Sequence, residues 1–216
     1  MAMNNSRKIA ENLLKHKAVR VSIDPPFTWV SGIKSPIYCD NRMMISFPNA
    51  RKTIVEAFKQ MIEEKGLKPD VIGGTATAAI PWAAFLAYEL GLPMIYIRPE
   101  PKGHGAGKQI EGSLEPHQNV LIVEDLVSTG GSSVKAAEAV RNEGKCTVTD
   151  IFAIVTYELA KADANFEGTG IELSTLTNFS EIIAAAADNA TIPQDRIDLV
   201  LEFRKDPDSW ATKMGI

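Results

Sequence analysis

Residues 120–133 read VLIVEDLVSTGGSS. The first four, Val120, Leu121, Ile122 and Val123, are an unbroken apolar run with no polar alternation. Such a run is typical of a strand buried on both faces of a parallel sheet. Glu124 and Asp125 stand where that strand is expected to end. Ser128, Thr129, Gly130, Gly131 and Ser132 then supply hydroxyls, small side chains and a permissive backbone. A helix is predicted to follow at once, SSVKAAEAVRNEG, with Val134, Ala137 and Val140 on one face and Gly144 as its stop.

The same alternation extends outward. Residues 48–65 read as a helix with Ile54, Val55, Phe58, Met61 and Ile62 inward and Gly66 as its stop. Pro69 leads into a strand at 71–72. GGTATAAIP opens a helix over about 76–90, which Gly91 ends, and a strand follows at 94–98. Beyond the central helix come a strand at 151–156, another over 169–176, and helices at 180–188 and 194–204. Helices alternating with apolar strands predict an α/β fold, a doubly wound and mainly parallel sheet flanked by helices. Ligands on such sheets bind at the C-terminal ends of the strands. Gly73-Gly74, Arg98 and Glu124-Asp125 all fall at such ends. The opening of the chain differs. An amphipathic helix over 5–17 and a strand over 19–23 precede FTWVSGIKSPIYCDNR (27–42), where aromatics alternate with turn residues. That pattern predicts short antiparallel strands in a small subdomain.

Composition narrows the function. The 216 residues are 45% apolar, enough for a full core. A net charge of −4 and a pI near 5.5 argue against nucleic acid as a general partner. An anionic ligand must then be attracted by basic residues clustered locally. Two cysteines without a C-x-x-C give neither a disulfide framework nor a structural zinc site. The first residues lack the apolar core of a signal peptide. The longest apolar run, 78–88, is too short to span a bilayer and contains Pro81. The expectation is a cytoplasmic protein without a membrane partner.

Strand, small-residue loop and helix start together make an anion site, because the first turn of a helix offers unpaired N–H groups and a positive dipole end. No lysine follows the glycines and no G-x-G-x-x-G occurs, so this is not a nucleotide P-loop. Two carboxylates beside a phosphate would repel it. A little away, they suit the vicinal hydroxyls of a ribose, and the combination reads as a ribose-5-phosphate site. An ordinary βα turn is the plainer alternative. GGTAT (73–77) repeats the arrangement and reads either as a second phosphate site or as close helix-to-strand packing. RPEPKGHGAGKQIEG (98–112) alternates glycines with Lys102, His104 and Lys108, and reads as a lid carrying positive charge to a polyphosphate.

These residues carry a resemblance. The 124–132 stretch resembles the phosphoribosyl-diphosphate (PRPP) motif of the type I phosphoribosyltransferases. Arg98, Lys102, His104 and Gly105 resemble the lid of the orotate phosphoribosyltransferases, with Pro99 where many members have a lysine. GHGAGKQIEG is similar to the branch found in Gram-positive bacteria. Residues 27–42 resemble the segment that covers orotate in these enzymes, with Val30 and Ala78 at positions where some members have lysine. The arginine that holds the orotate carboxylate in some members has no counterpart near Thr156-Tyr157-Glu158.

The resemblance implies one phosphoribosyltransferase domain over 1–216. Its PRPP-binding core is about 48–160, and a hood over the base comes from about 1–45 with C-terminal elements. It implies transfer of ribose 5-phosphate from PRPP to orotate, giving orotidine 5′-monophosphate and pyrophosphate in pyrimidine synthesis. PRPP contacts would come from Gly74, Thr75, Arg98, Lys102, His104, Glu124, Asp125, Leu126, Val127, Ser128, Thr129, Gly130, Gly131 and Ser132. Lys102, His104 and Asp125 would be catalytic, and Ile37, Tyr38 and Ser128 would meet orotate. Mg²⁺ would be held mainly through PRPP and water, with no protein metal site. A homodimer in which the lid serves the neighbour's site is implied too. The competing readings are a transferase for another base and a regulator that binds PRPP without chemistry.

Overall fold

The computed structural model describes residues 2–29, 31–101, 108–213 and 215. Helix α1 (Ala2–Lys15) buries Ile9, Ala10 and Leu13. Four short strands follow: β1 (Val19–Val21), β2 (Phe27–Thr28), β3 (Lys34–Ser35) and β4 (Ile37–Cys39). β1 pairs antiparallel with β4, and β2 with β3, in two small sheets separate from the main one. A 3-10 helix over Asn41–Ser46 leads to α2 (Pro48–Glu64), with Pro48 in its first turn. The chain turns out of α2 at Gly66, whose φ of 64° a side chain would resist.

The core then alternates. β5 (Val71–Thr75), α3 (Ile80–Leu90), β6 (Met94–Ile97), β7 (Ile110–Glu111), β8 (Val120–Val127), α4 (Gly131–Glu143) and β9 (Asp150–Thr156) succeed one another. α5 (Ala160–Phe166), β10 (Glu172–Asn178), α6 (Phe179–Asp188), α7 (Ile197–Leu201) and α8 (Trp210–Lys213) complete the chain. The six-stranded sheet has the order β10-β9-β8-β5-β6-β7, parallel throughout except for β7. The mainly parallel, helix-flanked architecture predicted from the sequence is therefore present. Strand order reverses between β5 and β8, which places a crevice beyond their C-terminal ends.

The apolar run that opens β8 explains its central place. Leu121 and Val123 join the core with Phe58 of α2 and Leu86 of α3, while Val120 and Ile122 join Ala137 and Val140 of α4 on the opposite face. Alternate side chains of a strand point to opposite faces, so both must be apolar when helices cover both.

Among the boundaries that differ from expectation, three bear on the site. β8 does not end before the acidic pair but runs through Glu124 and Asp125 to Val127. Gly73 and Gly74 lie inside β5 rather than in a loop. A Cβ on Gly74 would stand 2.8 Å from the Ala83 Cβ, so this glycine lets α3 press on the sheet. α3 begins at Ile80 rather than near residue 76, with a turn over 76–79 in between.

The small N-terminal sheets and the C-terminal segment meet over the ends of β8 and β9. Trp29 stacks on Tyr157 at 5.2 Å and meets Phe203 edge-on at 5.5 Å. Phe203 in turn meets Trp210 at 5.7 Å, whose indole N–H donates to the Leu199 carbonyl. Aromatic pairs of this kind contribute about 0.5–1.5 kcal/mol each beyond the area they bury.

Candidate active site

A cavity of about 400 Å³ opens at the C-terminal ends of β5, β6 and β8. Its walls include Thr75 at the end of β5 and Ala76 after it, Arg98 after β6, Glu124 and Asp125 on β8, and Ser132 and Lys135 on α4. The topology brings these together because each lies at, or follows, the C-terminal end of a parallel strand.

The loop between β8 and α4 is short. Gly130 caps α4 in the left-handed region, φ 76°, and no side chain caps the helix. The first N–H groups of α4 are thus left for an anion. α5 braces this loop from outside. Asn165 Nδ2 donates to the Thr129 carbonyl at 2.7 Å, and a Cβ on Gly130 would stand 2.7 Å from Phe166 Cε2.

Strand alternation separates the two carboxylates. Glu124 turns toward α4 and is 7% exposed. Its Oε1 accepts from Thr75 Oγ1 at 2.6 Å and from the Asp125 N–H at 3.1 Å, and its Oε2 accepts from Ser133 Oγ at 3.1 Å. Burial raises the Glu124 carboxyl to about 7; the Thr75 hydrogen bond opposes this, and the charge of Asp125 adds to it. Asp125 is half-buried. Burial raises its pKa as well, while hydrogen bonds and the charge of Arg42 act against the rise. Arg42 is exposed and pairs with Asp40 at 2.6 Å. Beside it Asn41, fully buried, donates through Nδ2 to the Asp125 carbonyl at 2.7 Å and ties the N-terminal region to the sheet.

The feet of the predicted lid are anchored. β6 and β7 pair antiparallel, with Ile97 opposite Ile110. The Arg98 N–H donates to the Gln109 carbonyl at 2.9 Å, Gln109 Nε2 donates back to the Arg98 carbonyl at 3.0 Å, and the Gln109 N–H donates to Glu143 at 3.0 Å. Arg98 also faces Glu111 at 3.6 Å. Lys102, His104 and Gly105 lie outside the described residues, as does Val30.

Of the sequence-predicted residues, Thr75, Arg98, Glu124, Asp125, Leu126 and Ser132 line the cavity. Ser128 and Thr129 are half-buried in the loop. Gly74 is buried in β5. Tyr38 is 36% exposed; Ile37 is fully buried, and its carbonyl accepts from Trp29 Nε1 and Ser35 Oγ. Sequence reasoning missed Lys135, Gln109, Asn41, Asn165 and Phe166. Only Lys135 left a signal, since three residues after Ser132 on a helix is the same face. The others act through contacts far apart in the chain. Among the described residues no group of three or more His, Cys, Asp or Glu side chains is arranged to hold a metal ion. No described helix is long and apolar enough to cross a membrane.

An uncapped helix start at the switch point of a parallel sheet, with carboxylates beside it, is the architecture of a ligand-binding α/β domain. Residues 46–165 match the family model described as the phosphoribosyl transferase domain. Over 206 residues the chain is 50% identical to the orotate phosphoribosyltransferase of Enterococcus faecalis, covering 95% of this chain and 98% of that one. It is 45% identical over 208 residues to the enzyme of that name from Lactococcus lactis, covering 96% and 99%. The solved structure of orotate phosphoribosyltransferase from Aeropyrum pernix superposes with a TM-score of 0.74 at 28% identity, over 83% of this chain and 98% of that one. The structure of Leishmania donovani UMP synthase superposes with a TM-score of 0.77 at 27% identity, over 92% of this chain but 42% of that longer one. The chain belongs to the orotate phosphoribosyltransferases of the phosphoribosyltransferase family.

Proposed function

We propose that the chain transfers the 5-phosphoribosyl group of PRPP to orotate, releasing pyrophosphate and orotidine 5′-monophosphate. The observation that carries this is the cavity at the β5–β8 switch point, walled by the uncapped start of α4 on one side and Arg98 on the other. In the reaction the bond from the anomeric carbon to pyrophosphate breaks and a bond to the orotate ring nitrogen forms, the proton of that N–H passing to the released pyrophosphate or to water. The ribosyl group becomes cationic as pyrophosphate takes the charge, so positioning and electrostatics suffice without a side-chain nucleophile.

In this reading Ser128 to Ser132 and the first N–H groups of α4 hold the 5-phosphate. Asp125 faces the ribose hydroxyls and favours the cationic sugar. Arg98, with Lys102 and His104 from the lid, neutralises the departing pyrophosphate. Orotate lies between Ser128 and the hood, against Tyr38 with Ile37 beneath it. Residues of about 48–160 form the PRPP-binding core, and about 1–45 with C-terminal elements form the hood. Mg²⁺ suits a wall that offers oxygen donors such as the Asp125 and Glu100 carboxylates. It would be held there mostly through PRPP and water, and would screen the pyrophosphate charge. The reading includes a cytoplasmic homodimer whose lid reaches the neighbour's site. Two free cysteines are in keeping with a reducing compartment.

The test is to follow orotate loss with PRPP and Mg²⁺, running adenine, hypoxanthine and uracil in parallel. Orotate alone should be consumed, and chelating Mg²⁺ should stop it. Turnover of another base instead would overturn the base assignment, and PRPP binding without turnover of any base would favour a regulator. Lys102→Ala should keep the fold and lower kcat by at least about a hundredfold, in the range of lost transition-state charge contacts. Unchanged kcat would remove the lid's role.

A further inference from the structure

The cavity wall carries three carboxylates, Glu100, Glu124 and Asp125, against two cations, Arg98 and Lys135. A ligand with phosphate groups at both ends adds further negative charge, so each cation counts. Arg98 already faces Glu111 at 3.6 Å. Among the described residues Lys135 makes no hydrogen bond or ion pair. The helix decides where it stands. Ser133, Ala137 and Val140 of α4 are buried, whereas Ser132 and Lys135, three residues apart and both exposed, share the face that lines the cavity. Long side chains on a helix lean toward its N-terminus, which puts this one on the side of Ser132 and the uncapped N–H groups. The first turn of α4 holds no acidic residue to offset them.

We infer that Lys135 is a further substrate-binding residue, a cation for the 5-phosphate of PRPP. It adds a full charge to the partial positive charge of the helix start. A lysine near that end opposes the dipole of its own helix while the cavity is empty, and a bound phosphate removes the conflict. Because it stands on a helix, its backbone is in place before the substrate arrives. The inference rests on the assignment of this cavity to PRPP, with the 5-phosphate at the start of α4.

PRPP and orotidine 5′-monophosphate both carry the 5-phosphate, and pyrophosphate does not, so running the reaction in both directions tests the contact. Lys135→Ala changes an exposed helical position to the best helix former, and the fold should be kept. It should raise KM for PRPP in the forward direction and for orotidine 5′-monophosphate in the reverse direction, each about tenfold, the weight of one charge-assisted hydrogen bond. KM for orotate and for pyrophosphate should change by less than about twofold. Lys135→Arg should restore both values, and Lys135→Met, which keeps the length without the charge, should restore neither. Wild-type KM for both phosphate esters in Lys135→Ala would make Lys135 a solvated surface lysine and overturn the inference. A rise for PRPP and pyrophosphate with orotidine 5′-monophosphate unchanged would put the charge at the other end of the substrate and overturn it as well. Calorimetry with ribose 5-phosphate needs no turnover and distinguishes the two ways of failing. Weaker binding to Lys135→Ala by a protein that consumes no base would uphold the phosphate contact while the transfer reading fails. Equal binding by parent and variant of an active enzyme would overturn the contact alone, and no binding to either would overturn it together with the ribose-phosphate site.

Discussion

Glu124 and Asp125 are adjacent in sequence and differ in surroundings, and the difference has a measurable sign. The Glu124 carboxyl is raised to about 7 from an ordinary 4.5, with burial as the main cause. Between those values the folded protein holds a proton that the unfolded chain has released. Stability from this group is therefore fully present below the lower value and is lost as pH rises through the upper one. The shift corresponds to about 3 kcal/mol as an upper order of magnitude. Asp125, also raised, contributes in the same direction. Glu124→Gln should narrow the fall in stability between about pH 5 and pH 8, read as the difference in urea midpoints between variant and parent. A constant difference across that range would mean that Glu124 does not titrate there. Asp125→Asn keeps size and polarity while removing the charge proposed to face the ribose. It should raise KM for PRPP and lower kcat together; unchanged PRPP kinetics would sink its role. The pair itself, and its place near the end of an apolar strand, were legible in the sequence. Their separate environments were not, because Thr75 lies 49 positions from Glu124 and nothing local announces the bond.

At the scale of elements, the loop before α4 depends on α5. Gly130 needs its left-handed φ, and any side chain there meets Phe166. Gly130→Ala should lower stability by about 1–3 kcal/mol through backbone strain and overlap, and weaken PRPP binding more than orotate binding. Calorimetry of PRPP binding checks this, and wild-type affinity would show that the loop does not need its observed path. α4 was readable from its apolar face and from Gly144. α5 was not: AKADANF has no apolar period and is only seven residues long. Its value lies in Asn165 and Phe166 touching a loop 36 residues earlier. GGT, read as either a phosphate loop or a packing stretch, proved to be strand. Small residues serve both uses, and only the position of Ala83 distinguishes them.

At the scale of the molecule, the site joins a sheet that sequence pattern made plain to a hood that it only outlined. The parallel core was legible because both faces of β5, β8 and β9 must be apolar. The closure of the hood was not, since Trp29, Tyr157, Phe203 and Trp210 are scattered along the chain and meet only in the fold. Asn41 is the polar tie between the two parts. Asn41→Ala strips the Asp125 carbonyl of its donor and should cost about 1–3 kcal/mol of stability. Because it loosens hood against sheet, it should raise KM for both substrates. A rise for PRPP alone would confine Asn41 to holding β8.

The two borders of the main sheet are unlike one another. On one side lies β7, only two residues long and antiparallel to its neighbour. On the other lies β10, seven residues long, with α1 packed along it and Ser6 Oγ donating to Thr177 Oγ1. A long uncovered border strand is a template for self-association, and a very short one is a poor template. α1 thus acts as a guard against aggregation. Shortened chains that begin after Lys15 should scatter light at concentrations where the full chain stays dispersed.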